Sequence, residues 1–220
     1  MKFAIGALPM VAVCALLVPT ACLARGEHYA SWKAFEVAHP ARVGPGQRIP
    51  SFDGDLNGDG VKDKVVMLYL PDHDHSQIFV LTGDPSGGFD VTGESDAFEY
   101  GTGGAGYSWV QPLKKYATNA FAVTFVTDDN AISSCSYKFR LRGKIWRLAG
   151  EDCDSEGEGD NLYEWQSSVD FLTGRYTSHL SDGHGKLKTR HGRHHFPVLT
   201  LRDFKYGDDY GLNDLWVDVP

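Results

Sequence analysis

Apolar residues in this chain come in short runs and alternations, with no long stripe of helical period. Val65, Val66, Met67, Leu68, Tyr69 and Leu70 form a short apolar run opened by two β-branched residues, of the length expected for a buried strand. Further strand candidates lie at 77–82, 87–92, 107–111, 119–127, 133–142, 145–150, 162–171, 174–180 and 198–203. Turn residues separate most of them, as at Gly83-Asp84-Pro85 and Thr173-Gly174. Near the start, Tyr29, Trp32 and Phe35 share a helical spacing, but Pro40, Pro45 and Pro50 break up the segment that follows. This pattern predicts an all-β fold: a compact antiparallel single domain, propeller-like or sandwich-like.

Two of the strand candidates pair by their own geometry. Gly143-Lys144 is a Gly-first two-residue turn of the II′ kind between 133–142 and 145–150. The implied register sets Leu141 opposite Trp146, Phe139 opposite Leu148 and Tyr137 opposite Gly150. Cys135 then faces Asp152, one residue short of Cys153. A β-bulge near Gly150 is expected to shift the pairing by one and allow a Cys135–Cys153 disulfide.

Residues 1–24 have the form of an export signal. Lys2 supplies a positive start, Phe3 to Val18 is an apolar segment shorter than a membrane span, and small residues follow. Cleavage after Ala24 leaves residues 25–220 as a single calcium-binding β domain and predicts a periplasmic location. Lipid attachment at Cys22 is the alternative and the one route to a membrane; Pro19 departs from the Leu-like residue such a site prefers. Export to an oxidising compartment favours the disulfide. The formal net charge of −8 excludes nucleic acid as an expected partner, because phosphates select basic surfaces.

Candidate chemistry centres on Asp55-Leu56-Asn57-Gly58-Asp59-Gly60-Val61-Lys62-Asp63. Oxygen-bearing side chains recur at every second position, and hard cations take six to eight oxygen ligands. Asp55, Asn57, Asp59, the Val61 carbonyl and Asp63 are the expected Ca²⁺ ligands, with Gly60 permitting the turn. The position where an EF-hand carries its bidentate Glu is Val66, so the loop is not an EF-hand. A calcium loop that leads straight into a strand resembles the FG-GAP repeats of integrin-type propellers, in which the ion is structural. No second such loop occurs, so a complete repeating propeller is not expected.

Residues 99–109 contain a formal Gly-x-Gly-x-x-Gly, but Pro112 interrupts the helix that a dinucleotide site requires. The preferred reading is a glycine-rich loop carrying Tyr100, Thr102, Tyr107 and Trp109 towards a protein partner. The alternative is that Trp109 begins a core strand and the glycines only turn the chain. Residues 151–160 read as an acidic loop, solvated or able to hold a second cation. His73, His75, His184, His191, His194 and His195 have no metal-motif spacing. Ser108 is in no nucleophile elbow, and no carboxylate pair is singled out, so an enzyme is not expected.

The order of features is an export segment, the Asp-x-Asn-x-Asp-Gly-x-x-Asp loop, an apolar strand, a glycine-rich aromatic loop and a late Val169-Asp170-Phe171-Leu172-Thr173-Gly174-Arg175 hairpin. It resembles the periplasmic calcium-binding immunity proteins paired with antibacterial type IV secretion effectors. That resemblance implies inhibition of a lysozyme-like peptidoglycan hydrolase, a cell-wall enzyme that is commonly basic. The glycine-rich loop would enter the hydrolase cleft and Tyr107 would fill a sugar subsite. The alternative is a structural or adhesive calcium-binding module of the envelope without inhibitory activity.

Overall fold

A computed structural model of the chain describes residues 26–41, 48–70, 75–100, 107–128, 131–157, 163–181, 184, 186–208, 210 and 212. The export segment 1–24, Cys22, Thr102 with its glycine neighbours, His73, and residues 158–160 of the acidic run lie outside the described residues.

The elements in chain order are β1 (His28–Tyr29), α1 (Trp32–Ala38), β2 (Ser51–Gly54), β3 (Asp63–Tyr69), β4 (His75–Gly83), β5 (Phe89–Glu94), β6 (Phe98–Glu99), β7 (Tyr107–Val110), β8 (Lys114–Ala117), β9 (Ala120–Asp128), β10 (Ala131–Arg142), β11 (Ile145–Gly157), β12 (Glu164–Asp170), β13 (Arg175–Ser181) and β14 (Leu187–Arg193). They form two antiparallel sheets. One runs β1-β5-β4-β3-β2, with β6 also on β4. The other runs β14-β13-β12-β11-β10-β9-β7, with β8 also on β9.

The continuous apolar run of β3 is explained by its two covered faces. Val65 and Met67 join the main core, together with Ile78 and Val80 of β4 and Phe121, Phe125, Tyr137, Phe139 and Trp146 of the larger sheet. Val66 and Leu68 face the other way, into a smaller cluster with Phe79, Leu81 and Phe35. The helix covers that second face. Ser31 caps it, its hydroxyl accepting from Ala34 N–H at 3.2 Å, and Phe35 is fully buried. Trp32 stacks on Phe35, with Lys64 Nζ 4.6 Å above the indole. The helical spacing of Tyr29, Trp32 and Phe35 thus ends in about two turns of helix whose stability comes from packing, since seven residues are too few for intrinsic stability.

The β10–β11 hairpin follows the sequence register. Leu141 faces Trp146 and Phe139 faces Leu148. The pairing then shifts between Lys138 and Phe139, leaving Ala149 as the extra residue, and Cys135 comes directly opposite Cys153. The two are joined as a disulfide with Cα atoms 4.1 Å apart. Gly143 takes φ +63°, while Lys144 keeps an ordinary negative φ, which fits the Gly-first turn.

Three departures have physical causes. Residues 198–203 form no strand; they touch the edge of β11 through a single Arg147–Thr200 bridge. Asp203 then turns the chain, its carboxylate accepting the Thr200 N–H at 2.9 Å and the Thr200 hydroxyl at 2.7 Å. Residues 151–157 are not a loop but the second half of β11. Strands β2, β8 and β14 lacked the apolar alternation that marks a half-buried strand, and β14 is an exposed, polar edge.

Candidate functional site

The loop 55–62 joins β2 to β3 and is tied to both sheets. Asp63, at the start of β3, is almost fully buried at 1 % exposure. Its Oδ2 accepts Leu56 N–H at 2.7 Å and Asn57 N–H at 3.2 Å, and its Oδ1 accepts Gly83 N–H at 3.0 Å from the end of β4. On the other side, Leu56 is buried in the main core and its carbonyl accepts Asn119 N–H at 2.8 Å, from the β8–β9 turn. Lys115 Nζ donates to the Asp55 carbonyl. Asn119 adopts φ +56°, a left-handed turn conformation that Asn tolerates.

Within the loop, the side chains brace the backbone. Asp55 accepts Gly58 N–H through Oδ1 and Gly60 N–H through Oδ2 at 3.0 Å. Asn57 Oδ1 accepts Asp59 N–H at 2.9 Å, and Asp59 Oδ1 accepts Val61 N–H at 2.7 Å. Gly58 and Gly60 take φ +90° and +83°, conformations in which a side chain is strained. The Gly58 N–H bond, then the Gly60 bond, hold the Asp55 carboxyl below the usual range. Burial pushes Asp63 above it, against the lowering effect of its three N–H donors.

These residues fit a hard cation in their chemistry. Each ionised carboxylate has about four acceptor sites, and the bonds above leave capacity at Asp55, Asp59 and the Asn57 carbonyl. Asp63 is the most committed of the set. No three His, Cys, Asp or Glu side chains converge on one point among the described residues.

The glycine-rich run leaves the smaller sheet at β6 and returns in the larger sheet at β7. Tyr100 is not displayed for a partner. It is 7 % exposed and packs edge-on against Phe125 and Tyr206, with its hydroxyl unpartnered. The backbone of Tyr107 pairs with Asp128 in the larger sheet. Trp109, opposite Val126, is 46 % exposed on the outer side of that sheet, so it does not begin a core strand. The imidazoles spread out: His191 lies on β14, while His194 and His195 flank a cavity of about 250 Å³ with Arg147, Thr173 and Phe196.

Two features escaped the sequence reading. Glu151 is buried at 5 % exposure on the inner face of the larger sheet, its Oε2 unpartnered. Burial, then the neighbouring Asp152, raise its pKa from 4.5 to about 7. Its alternation with outward Asp152 is the signal that marks an inward carboxylate once 151–157 is known to be a strand. The second feature is a basic corner on the outer face of the same sheet. The chain matches no family model, no curated protein and no solved structure.

Proposed function

We propose that this chain is an exported, calcium-stabilised inhibitor, an immunity-type protein that blocks a lysozyme-like peptidoglycan hydrolase by binding it and carries out no turnover of its own. One observation carries the reading: the 55–63 loop is stitched to β4 of one sheet and to the β8–β9 turn of the other, around a buried Asp63 with no cationic side chain paired to it among the described residues. Asp55, Asn57, Asp59, the Val61 carbonyl and Asp63 would hold Ca²⁺. The ion would supply the positive charge that balances this acidic turn. The chain's own part is to fix the loop: Leu56 anchors it in the core, Gly58 and Gly60 turn it, and Asn119 and Gly83 tie it to the two sheets.

A rigid scaffold lowers the ordering cost of presenting a binding loop. The run 101–106 spans from the buried Tyr100 to the strand that carries Tyr107, so both its ends are held by sheet structure. Thr102 and Tyr107 are the contact residues on this reading, with exposed Trp109 at the return. The formal charge of −8 would speed encounter with a basic hydrolase.

Two measurements test the reading. Mature protein added to a lysozyme-like hydrolase acting on cell walls is expected to abolish lysis, and Tyr107→Ala to weaken the effect. Lysis that continues with every envelope hydrolase tried, a genetic neighbour included, overturns it. Binding to the envelope without inhibition would favour the structural or adhesive alternative. Chelation is separately expected to lower the melting temperature, because an ion at about 100 times its Kd adds about 2.7 kcal/mol to the folded state. Asp59→Ala should remove that response.

A further inference from the structure

We propose that the basic corner on the outer face of the larger sheet binds an anionic polysaccharide. Residues paired across antiparallel strands lie on the same face, so the pairing can be followed in rows from strand to strand. At one end of the outer face a row joins Asp128, Ile132, Glu156 and Glu164. Midway, a row of Thr124, Ser136, Asp152, Ser168 and Thr177 crosses five strands. At the opposite end the charge reverses, with Lys138, Arg140, Arg142, Arg147, Arg175 and Arg193. Lys114 of β8, opposite Ala122, adds to that end. The face therefore runs from acidic through hydroxyl-bearing to basic.

The basic end is unbalanced from within. Arg140 stands directly opposite Arg147, and like charges so placed repel; Arg175 stands between Arg193 on one side and Asp170 on the other, so one carboxylate faces two arginines there. The nearest carboxylates are engaged. Asp152 takes Lys138 and the Ser168 hydroxyl, and Asp170 accepts the N–H groups of Leu172 and Thr173 through Oδ1, which leaves two carboxylates against six cationic side chains of β10, β11, β13 and β14 at this end. None of the five arginines forms an ion pair among the described residues. Arg140 Nε and Arg147 Nε are shielded from solvent and have no hydrogen-bond partner among the described residues. Two adjacent guanidinium groups with no carboxylate partner among the described residues can take a carboxylate or a phosphate through their outer Nη donors.

Neighbouring groups select a sugar polymer over a lone anion. Tyr116, 41 % exposed, lies 5.8 Å from the Arg140 guanidinium and offers a flat surface for a pyranose ring. The hydroxyl row two same-face positions further along β10 keeps acceptor capacity for sugar hydroxyls, Thr124 and Ser136 bonding each other and Ser168 donating to Asp152. The surface is an open sheet face, which suits a long chain. A net charge of −8 repels a uniform polyanion at long range, so binding has to come from this local match. That argues for a sparsely charged glycan over nucleic acid. The inference stands apart from the calcium loop and from hydrolase inhibition.

The test is binding of the mature chain to sparsely carboxymethylated dextran, to sparsely phosphorylated dextran and to neutral dextran, by calorimetry at low and high salt. Salt-sensitive binding to one or both charged polymers, with none to dextran, is expected. Preference between the two distinguishes a carboxylate from a phosphate source. The double variant Arg140→Gln/Arg147→Gln is expected to lose affinity by about tenfold or more, with the Tyr107-dependent inhibition unchanged. A hydrogen-exchange footprint of the unaltered chain needs no variant, and protection by the polymer should fall on 114–117 and 138–147. Absence of binding to either charged polymer, protection elsewhere, or tighter binding of single-stranded DNA would each overturn the proposal.

Discussion

Glu151→Gln separates a buried titrating carboxyl from a merely structural one. Glu151 points inward from β11, with Tyr137 of β10 and Val169 of β12 directly opposite it. The Tyr210 ring and the Cys153 sulfur also belong to its surroundings, the latter at 3.3 Å from Oε1. That sulfur is bound in the disulfide and has no proton to donate. Asp152 is the other nearby charge, and it raises the Glu151 pKa further. With no cation paired to it among the described residues, the carboxyl keeps its proton in the folded state up to about pH 7 and releases it near 4.5 once unfolded. Below pH 4.5 both states carry the proton and the group is neutral to stability. Between 4.5 and 7 the folded state binds more protons than the unfolded state, so stability falls as pH rises. The full difference is about 3 kcal/mol and is reached above pH 7. Urea denaturation followed by tryptophan fluorescence, from pH 4.5 to 8, should give a wild-type stability that declines relative to Glu151→Gln by about that amount. Because the other titrating groups are shared, the difference between the two curves isolates this side chain. Curves that stay parallel across the range would refute the reasoning, whatever constant offset the amide introduces.

Other consequences are simpler to check. Replacing both Cys135 and Cys153 by Ala should cost about 3 kcal/mol in urea unfolding, from the freed entropy of a loop with a sequence separation of 18. Adding reductant to the wild type should reproduce that loss. Tyr100→Phe deletes a buried hydroxyl that has no partner, so its stability should stay level or rise, while Tyr100→Ala should lose about 3–5 kcal/mol by opening a cavity beside Phe125. Gly174→Ala should lower the melting temperature, because Gly174 sits at φ +73° and an added Cβ would lie 2.1 Å from the His194 carbonyl.

The elements that were legible in the sequence are those whose side chains alternate against a core. In β10 and β11 the turn residues, the apolar alternation and the parity of the two cysteines together required a bulge, and the structure has one at Ala149. The apolar run of β3 was legible for a different reason, being covered on both faces. Where a strand carries no core-facing apolar residues, the signal vanishes. Leu187–Arg193 pairs with β13, and its composition is that of a surface loop. Residues 198–203 erred the other way. They are apolar enough for a strand, but Leu199 and Leu201 seat the segment against β11 while the Asp203 carboxylate bends it back. The role of Tyr100 is not legible locally: glycines beside an aromatic suggest display, and only the contacts with Phe125 and Tyr206 reveal an anchor.

Site chemistry divides along the same line between what neighbours in sequence and what pairing brings together. The 55–63 loop is local, and its oxygen donors are adjacent enough for their spacing alone to suggest a cation. The basic corner is not local. Setting Leu141 against Trp146 already implies Arg140 against Arg147, yet a lone opposed pair at a hairpin end is an ordinary solvated contact. Its weight comes from β13 and β14, which place a second opposed pair, Arg175 and Arg193, on the same side of the same sheet. Repulsion of this kind adds up as the strands assemble, in a chain whose excess carboxylates are abundant enough to have neutralised it. Three of the carboxylates lie at the far end of the face, on Asp128, Glu156 and Glu164, while Asp152 and Asp170 stand nearer the corner, so the surface separates charge across its length. An anionic ligand is the simplest physical means of offsetting that separation.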